Sequence, residues 1–113
     1  MKYKLLFLFL FSIPLIAKPQ KFLYEKDGLE LISYRIVKDG IFKYVQGTIV
    51  NTTTNKFNIV VVEFKLYDSS GALIGETSDM IEEIGPKEKW NFKAIITEDN
   101  VSKVKLKGIK IGF

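Results

Sequence analysis

The 113-residue chain contains no cysteine and no histidine, and only three prolines. Without cysteine there is no disulfide, no lipid anchor attached through a thiol and no thiolate nucleophile, so apolar burial and hydrogen-bonded ladders must hold the fold. Without histidine the usual general base and the commonest metal ligand are gone, and neither a Ser-His-Asp nor a Cys-His site can be assembled. A Ser-Lys pair would need a lysine desolvated beside the serine, and no stretch carries that signature. The acidic pairs Glu82-Glu83 and Glu98-Asp99 lack the ligand spacing of a calcium loop and read as solvated turns. The expectation is a protein that is not an enzyme and carries no cofactor and no metal. Beyond the first residues the chain also lacks any helix-period segment of useful length.

What is present begins with a basic opening, Met1-Lys2-Tyr3-Lys4, followed by an apolar block over residues 5–16 that the small residue Ala17 closes. This is the layout of a signal peptide over 1–17. A bilayer crossing takes roughly 20 apolar residues, and this block is shorter and contains Pro14, so no permanent membrane anchor is expected. The mature chain would then be exported, periplasmic or secreted, with roughly 100 residues, enough for one domain. Losing Lys2 and Lys4 lowers the formal charge from +4 to about +2, too little to argue for nucleic acid.

The rest alternates with a period of two. The central stretch has Val60, Val62, Phe64 and Leu66 on one face and Glu63, Lys65 and Tyr67 on the other. Asp68-Ser69-Ser70-Gly71 then turns the chain, because Asp and Ser bond to nearby backbone and Gly accepts positive φ, which makes a β-hairpin. Before it, residues 18–28 read as a linker or edge segment, in which Phe22-Leu23-Tyr24 either adds a short strand or lies across the end of the fold. A strand over 29–37 is expected to put Leu29, Leu31 and Ser33 on one face and Ile32, Tyr34 and Ile36 on the other, ending at Asp39-Gly40. A strand over 42–51 faces Val45, Gly47 and Ile49 inward, and an interior glycine marks a bulge or a close approach of other chain. Asn51 to Asn55 reads as a polar loop. Asn51-Thr52-Thr53 and Asn100-Val101-Ser102 fit the glycosylation triplet, a pattern that arises often by chance, and are assigned no role. After the Gly85-Pro86 turn, Trp90, Phe92, Ala94 and Ile96 alternate inward, toward Phe64 and Leu66. A last strand over 101–111 has Val104 and Leu106 inward, Lys103, Lys105 and Lys107 outward, and Gly108 at a bulge. Six or seven such runs with turns between them predict an all-β, Ig-like antiparallel sandwich over 29–113.

Three fragments in order, Tyr44 to Asn51, Phe64-Lys65-Leu66-Tyr67-Asp68 with Gly71 following, and Ile84 to Phe92, resemble the FxLYD family of small exported bacterial domains. The resemblance covers residues 29–96 and implies an Ig-like β-sandwich. It brings no catalytic residues, and one departure is the order Gly85-Pro86-Lys87 where the family more often has Pro-Gly. In the motif, Phe64 and Leu66 read as core, Tyr67 as cover for a sheet edge, and Asp68 as the acceptor that closes the turn, with a recognition tip at Tyr67-Asp68 as the alternative.

Lys103, Lys105, Lys107 and, past the bulge, Lys110 share one face of the last strand. Such a stripe either guards an exposed edge against aggregation or meets an acidic partner, an unknown protein or an anionic envelope component. A second candidate surface is the outer face of the central strand, where Ile59 and Val61 lie beside Tyr67. The function expected is an exported, non-enzymatic module that binds another envelope or extracellular component. The alternative is an accessory subunit with no ligand of its own, joined to a larger complex by strand addition.

Overall fold

The computed structural model describes residues 22–112, so the expected signal peptide and residues 18–21 lie outside the described residues. Seven strands follow one another: β1 Tyr24–Lys26, β2 Leu29–Asp39, β3 Phe42–Asn51, β4 Phe57–Tyr67, β5 Leu73–Ile84, β6 Lys89–Ile96 and β7 Lys103–Ile111. All pairings are antiparallel, and they build a four-stranded sheet β1-β2-β3-β6 and a three-stranded sheet β5-β4-β7. The two sheets stack as the expected sandwich, divided four plus three. Their connectivity departs from the expected Ig-like one, because the second and third strands, which a seven-stranded Ig domain places in opposite sheets, form the β2–β3 hairpin within one sheet. Among the described residues there is no helix.

The local chemistry accounts for the turns. Asp27 and Gly28 both have positive φ between the paired residues Lys26 and Leu29, the two-residue type I′ turn whose twist matches a hairpin. That turn makes β1 an edge strand, which decides the open reading of the segment around Tyr24. Gly40 has positive φ between Asp39 and Phe42 and closes the β2–β3 hairpin. In the Gly85 to Glu88 turn the Glu88 amide donates to the Gly85 carbonyl at 3.2 Å, with Pro86 second and Lys87 third. Lys87 adopts φ 64°, the left-handed conformation that the third position of a type II turn requires and that a glycine would take without strain. The altered order noted at this turn thus leaves β6 intact and places the strain on a lysine.

The core is the expected alternation of β4 against β6. Val60, Val62, Phe64 and Leu66 from one sheet meet Trp90, Phe92, Ala94 and Ile96 from the other, with Leu29, Leu31, Val45 and Ile49 completing it. Aromatic rings run through its centre, Tyr34 to Phe64 at 4.9 Å, Phe64 to Phe92 at 5.7 Å and Phe92 to Trp90 at 5.8 Å between centroids. Gly47 lies directly across from Phe92 in the ladder, and a Cβ there would overlap the Ser33 carbonyl oxygen and sit 2.6 Å from Phe92 Cζ. The interior glycine is therefore the close approach that its position in a strand implies.

One facing assignment needs correction. Leu31 pairs with Ile49 but Ser33 pairs with Thr48, so Ile32 is an extra residue and β2 bulges there. The bulge inverts the alternation beyond it: Ser33 is exposed, while Tyr34 and Ile36 pack on the core beside Leu29 and Leu31. A bulge is also found in β7, as expected near Gly108, since Glu63 pairs with Gly108 while Phe64 pairs with Leu106.

The side of the sandwich where β5 meets β6 is closed by side chains. Asp79 Oδ2 accepts from the Lys93 amide at 2.8 Å, and the Thr77 hydroxyl donates to the Ile95 carbonyl, so the β6 edge is satisfied by the neighbouring sheet. On the opposite side β1 pairs only with Leu29 to Leu31 of β2 and β7 has β4 on one side alone, with Lys26 Nζ of β1 donating across to the Ile109 carbonyl of β7 at 3.2 Å.

Candidate functional site

The motif residues sit at the end of β4. Phe64 and Leu66 are fully buried. Asp68 organises the turn after them, its Oδ1 accepting from the Ser70 amide at 2.9 Å, the Ser70 hydroxyl at 2.7 Å and the Ala72 amide at 3.0 Å. Gly71 follows at φ 89° and donates to the Asp68 carbonyl at 3.0 Å. Every acceptor bond to Asp68 favours its ionised form, the Ser70 hydroxyl most, then the Ala72 and Ser70 amides, so its carboxyl is held below the usual value. A carboxyl with a depressed folded-state pKa contributes stability that is complete above its unfolded pKa and lost as pH falls through the folded one. Asp68→Asn should therefore flatten the acid limb, and its urea midpoint should change less than the wild type's between roughly pH 5 and pH 2. Equal slopes in the two proteins would show that Asp68 does not feel these bonds in solution.

Tyr67 points outward from the three-stranded sheet, and its carbonyl accepts from the Ser102 amide at 2.8 Å, which ties the β6–β7 loop to the end of β4. Its ring lies beneath the Lys105 ammonium, 5.4 Å from the centroid. Around it the outer face of β5-β4-β7 gathers the lysine stripe. Lys107 Nζ donates to Glu76 Oε1 on β5 at 2.9 Å, and Lys110 Nζ lies 3.5 Å from Glu63 Oε1 on β4. The hydrogen bond to Glu76, then its charge, raises the Lys107 pKa. These pairs leave Lys103 and Lys105 without an ion pair among the described residues.

The register adds a residue that alternation alone does not connect to the stripe. Lys65 on β4 is the direct cross-strand partner of Lys105, and Tyr67 is the partner of Lys103. Like charges directly opposite on a sheet face destabilise it. The carboxylate beside Lys65 in the other direction is Glu76, its partner on β5, and Glu76 is already bonded to Lys107. The upper part of this face thus holds Lys65, Lys103 and Lys105 around Tyr67 with a surplus of positive charge, while the lower part, with Lys110 on Glu63 and Lys56 3.8 Å from Glu83, is balanced. Lys65 was legible as an outward residue, but only the β4–β7 register shows which lysine it meets.

The Ile59 and Val61 surface is partly covered: the Gly112 amide donates to the Ile59 carbonyl at 2.7 Å, and Gly112 lies against the Ile59 side chain. The two acidic pairs remain apart. Glu83 faces Lys56, and Glu98 packs its carboxylate against Gly75. Among the described residues no three acidic groups converge to hold a metal ion. Asn51 is a residue that reading the chain as loop missed, since its side chain is fully buried and hydrogen-bonded on both its oxygen and its nitrogen. A buried amide of that kind is closed to glycosylation in the folded protein.

No family model matches the chain. The uncharacterised protein MJ0360 of Methanocaldococcus jannaschii is 29% identical over 72 residues, which cover 63% of this chain and 53% of that protein, so the chain matches about half the length of this relative. Among solved structures, a DUF1425 family member from Shewanella sp. pv-4 superposes with a TM-score of 0.56 at 12% identity, over 80% of this chain and 85% of that one. The chain shares its fold with that protein, a small all-β domain, and neither comparison indicates an enzymatic activity.

Proposed function

We propose that the chain is an exported, non-enzymatic FxLYD-like module that holds an acidic envelope or extracellular component against the outer face of its three-stranded sheet. Lys65, Lys103 and Lys105 supply the charge and Tyr67 a flat surface between them. The observation that carries this reading is the Lys65–Lys105 cross-strand pair, which costs the fold stability and is left unneutralised by it. An anion docked there relieves the repulsion, so binding and stability are coupled at this face.

The double variant Lys65→Gln, Lys105→Gln tests it on the full mature chain. Lys105 is exposed and Lys65 half-buried, and a repulsive pair is being removed, so the urea midpoint should hold or rise. Binding to an acidic envelope fraction should fall about tenfold or more, and wild-type binding should fade as the Debye length shrinks from about 10 Å at 0.1 M salt to about 3 Å at 1 M. Retained binding together with increased self-association would identify the lysines as edge protection instead. The open edges of β7 and of β2 beyond Leu31 favour one second reading, an accessory subunit joined by strand addition. In that case the purified chain self-associates or pairs through backbone, and light scattering together with insensitivity of the complex to salt would reveal it.

A further inference from the structure

The opposite outer face, on the four-stranded sheet, carries a cavity of about 230 Å³ at the β2 bulge. Its polar side chains are Ser33 and Arg35 of β2, Gln46 and Thr48 of β3 and Asn91 of β6. The bulge at Ile32 creates it, because the inverted alternation turns Ser33 and Arg35 outward beside Thr48 and Gln46. Two cross-strand rows result, Ser33–Thr48–Asn91 and Arg35–Gln46–Lys93. No carboxylate lines the cavity, and Arg35 makes no ion pair among the described residues. Lys93, the cross-strand partner of Gln46, is not among the lining residues and holds its ammonium over the Tyr44 ring, 5.2 Å from the centroid.

We infer that this cavity is a binding site for a carboxylate-bearing sugar, a uronic acid unit, independent of the lysine face. The guanidinium presents a planar fork that matches a carboxylate with two parallel bonds. The Thr48 hydroxyl donates to Asn91 Oδ1 at 2.8 Å, which occupies the amide oxygen and leaves the Asn91 NH2 group to donate outward. Gln46 and Ser33 bring acceptors as well as donors, and these are met by the several ring hydroxyls of a sugar, where sulfate has no hydroxyl donor and inorganic phosphate only one or two. The volume lies below the range of drug-sized pockets and suits one small polar ring. Arg35, the one charged residue of the lining, with no acid beside it, selects the anionic sugar over its neutral counterpart.

Amide chemical shifts of the full mature chain, followed during titration with glucuronate, glucose and inorganic phosphate at fixed ionic strength, test the assignment. Glucuronate should give saturable shifts at Ser33, Gln46, Thr48 and Asn91, with glucose weaker. A hydrogen-bonded charge pair is at stake, so Arg35→Gln should raise the apparent Kd for glucuronate about tenfold or more. Arg35 is exposed, and unchanged shift dispersion will confirm that the variant folds. The Lys65→Gln, Lys105→Gln protein should bind glucuronate as the wild type does, which separates this site from the lysine face. Glucose binding as tightly as glucuronate, phosphate binding more tightly, an unaltered Kd in Arg35→Gln, or no saturable shift with glucuronate would each overturn the inference.

Discussion

Replacing Asn51 with aspartate, a change of one amide nitrogen for oxygen, should destabilise the domain by on the order of 3–5 kcal/mol near neutral pH. Asn51 is fully buried at the end of β3, where three loops converge. Its Nδ2 donates to the carbonyls of Asn55 and Gly85, both at 2.8 Å, and at 3.4 Å to that of Ile84, while its Oδ1 accepts from the Thr53 amide at 3.0 Å and the Thr53 hydroxyl at 2.8 Å. One side chain therefore joins the β3–β4 loop to the β5–β6 turn, and only a group that donates and accepts at once can do so. An aspartate would aim a carboxylate oxygen at two carbonyl oxygens with no donor between them. Burial and that repulsion raise the folded-state pKa of the new acid above its unfolded value. The folded state then binds more protons than the unfolded one, so the variant should regain stability as pH falls below the raised pKa, opposite to the Asp68 effect. Urea midpoints at neutral pH and at about pH 4 check both parts. An Asn51→Asp midpoint equal to the wild type's at neutral pH would mean that the loop network is not formed as described.

The second large effect is expected at Phe92. Its ring is fully buried, touches Phe64 and Trp90, and covers the floor that Gly47 leaves open. Neither Gly47 nor the bulged β2 backbone over it offers a side chain to fill the space, so Phe92→Ala should leave a cavity and cost on the order of 3–5 kcal/mol. A domain of this size has about 5–15 kcal/mol of stability in all, so the variant should unfold at a much lower urea concentration. Trp90→Ala is expected in the same range, but Trp90 lies at the end of the ring series and is 8% exposed, so its loss should cost no more than that of Phe92. Trp90 fluorescence reports the Phe92→Ala transition directly. A midpoint within error of wild type would place Phe92 outside the core and put the β6 register wrong by one residue.

The strands, their number and most of their inward faces were legible because strand alternation is a local rule. Val60 to Leu66 and Trp90 to Ile96 each declare one apolar face within eight residues, and the turn chemistry of Asp68 to Gly71 and of Gly40 marks where each run ends. The Asp68 turn forms from side-chain bonds that span only four residues, so it too follows from the chain itself.

The candidate surfaces were legible only in part, because each depends on which strands become neighbours. The lysines of β7 announced a stripe, but the pairing of Lys107 with Glu76, of Lys110 with Glu63 and the confrontation of Lys105 with Lys65 arise from contacts between residues more than thirty positions apart. Asn51 looked like loop because its partners at Ile84 and Gly85 approach only when the β5–β6 turn folds over the end of the sandwich.

By itself, then, the sequence determined an all-β chain with no thiol or imidazole chemistry, with strands whose apolar sides can be named residue by residue. Tertiary structure alone decided the bulge at Ile32, which turned Ser33 and Arg35 outward and opened a polar cavity, and the register that set Lys65 against Lys105. The reason is physical: alternation repeats every two residues and is written in each strand, whereas a bulge shifts it by one and a register is chosen by the packing of distant strands as a whole.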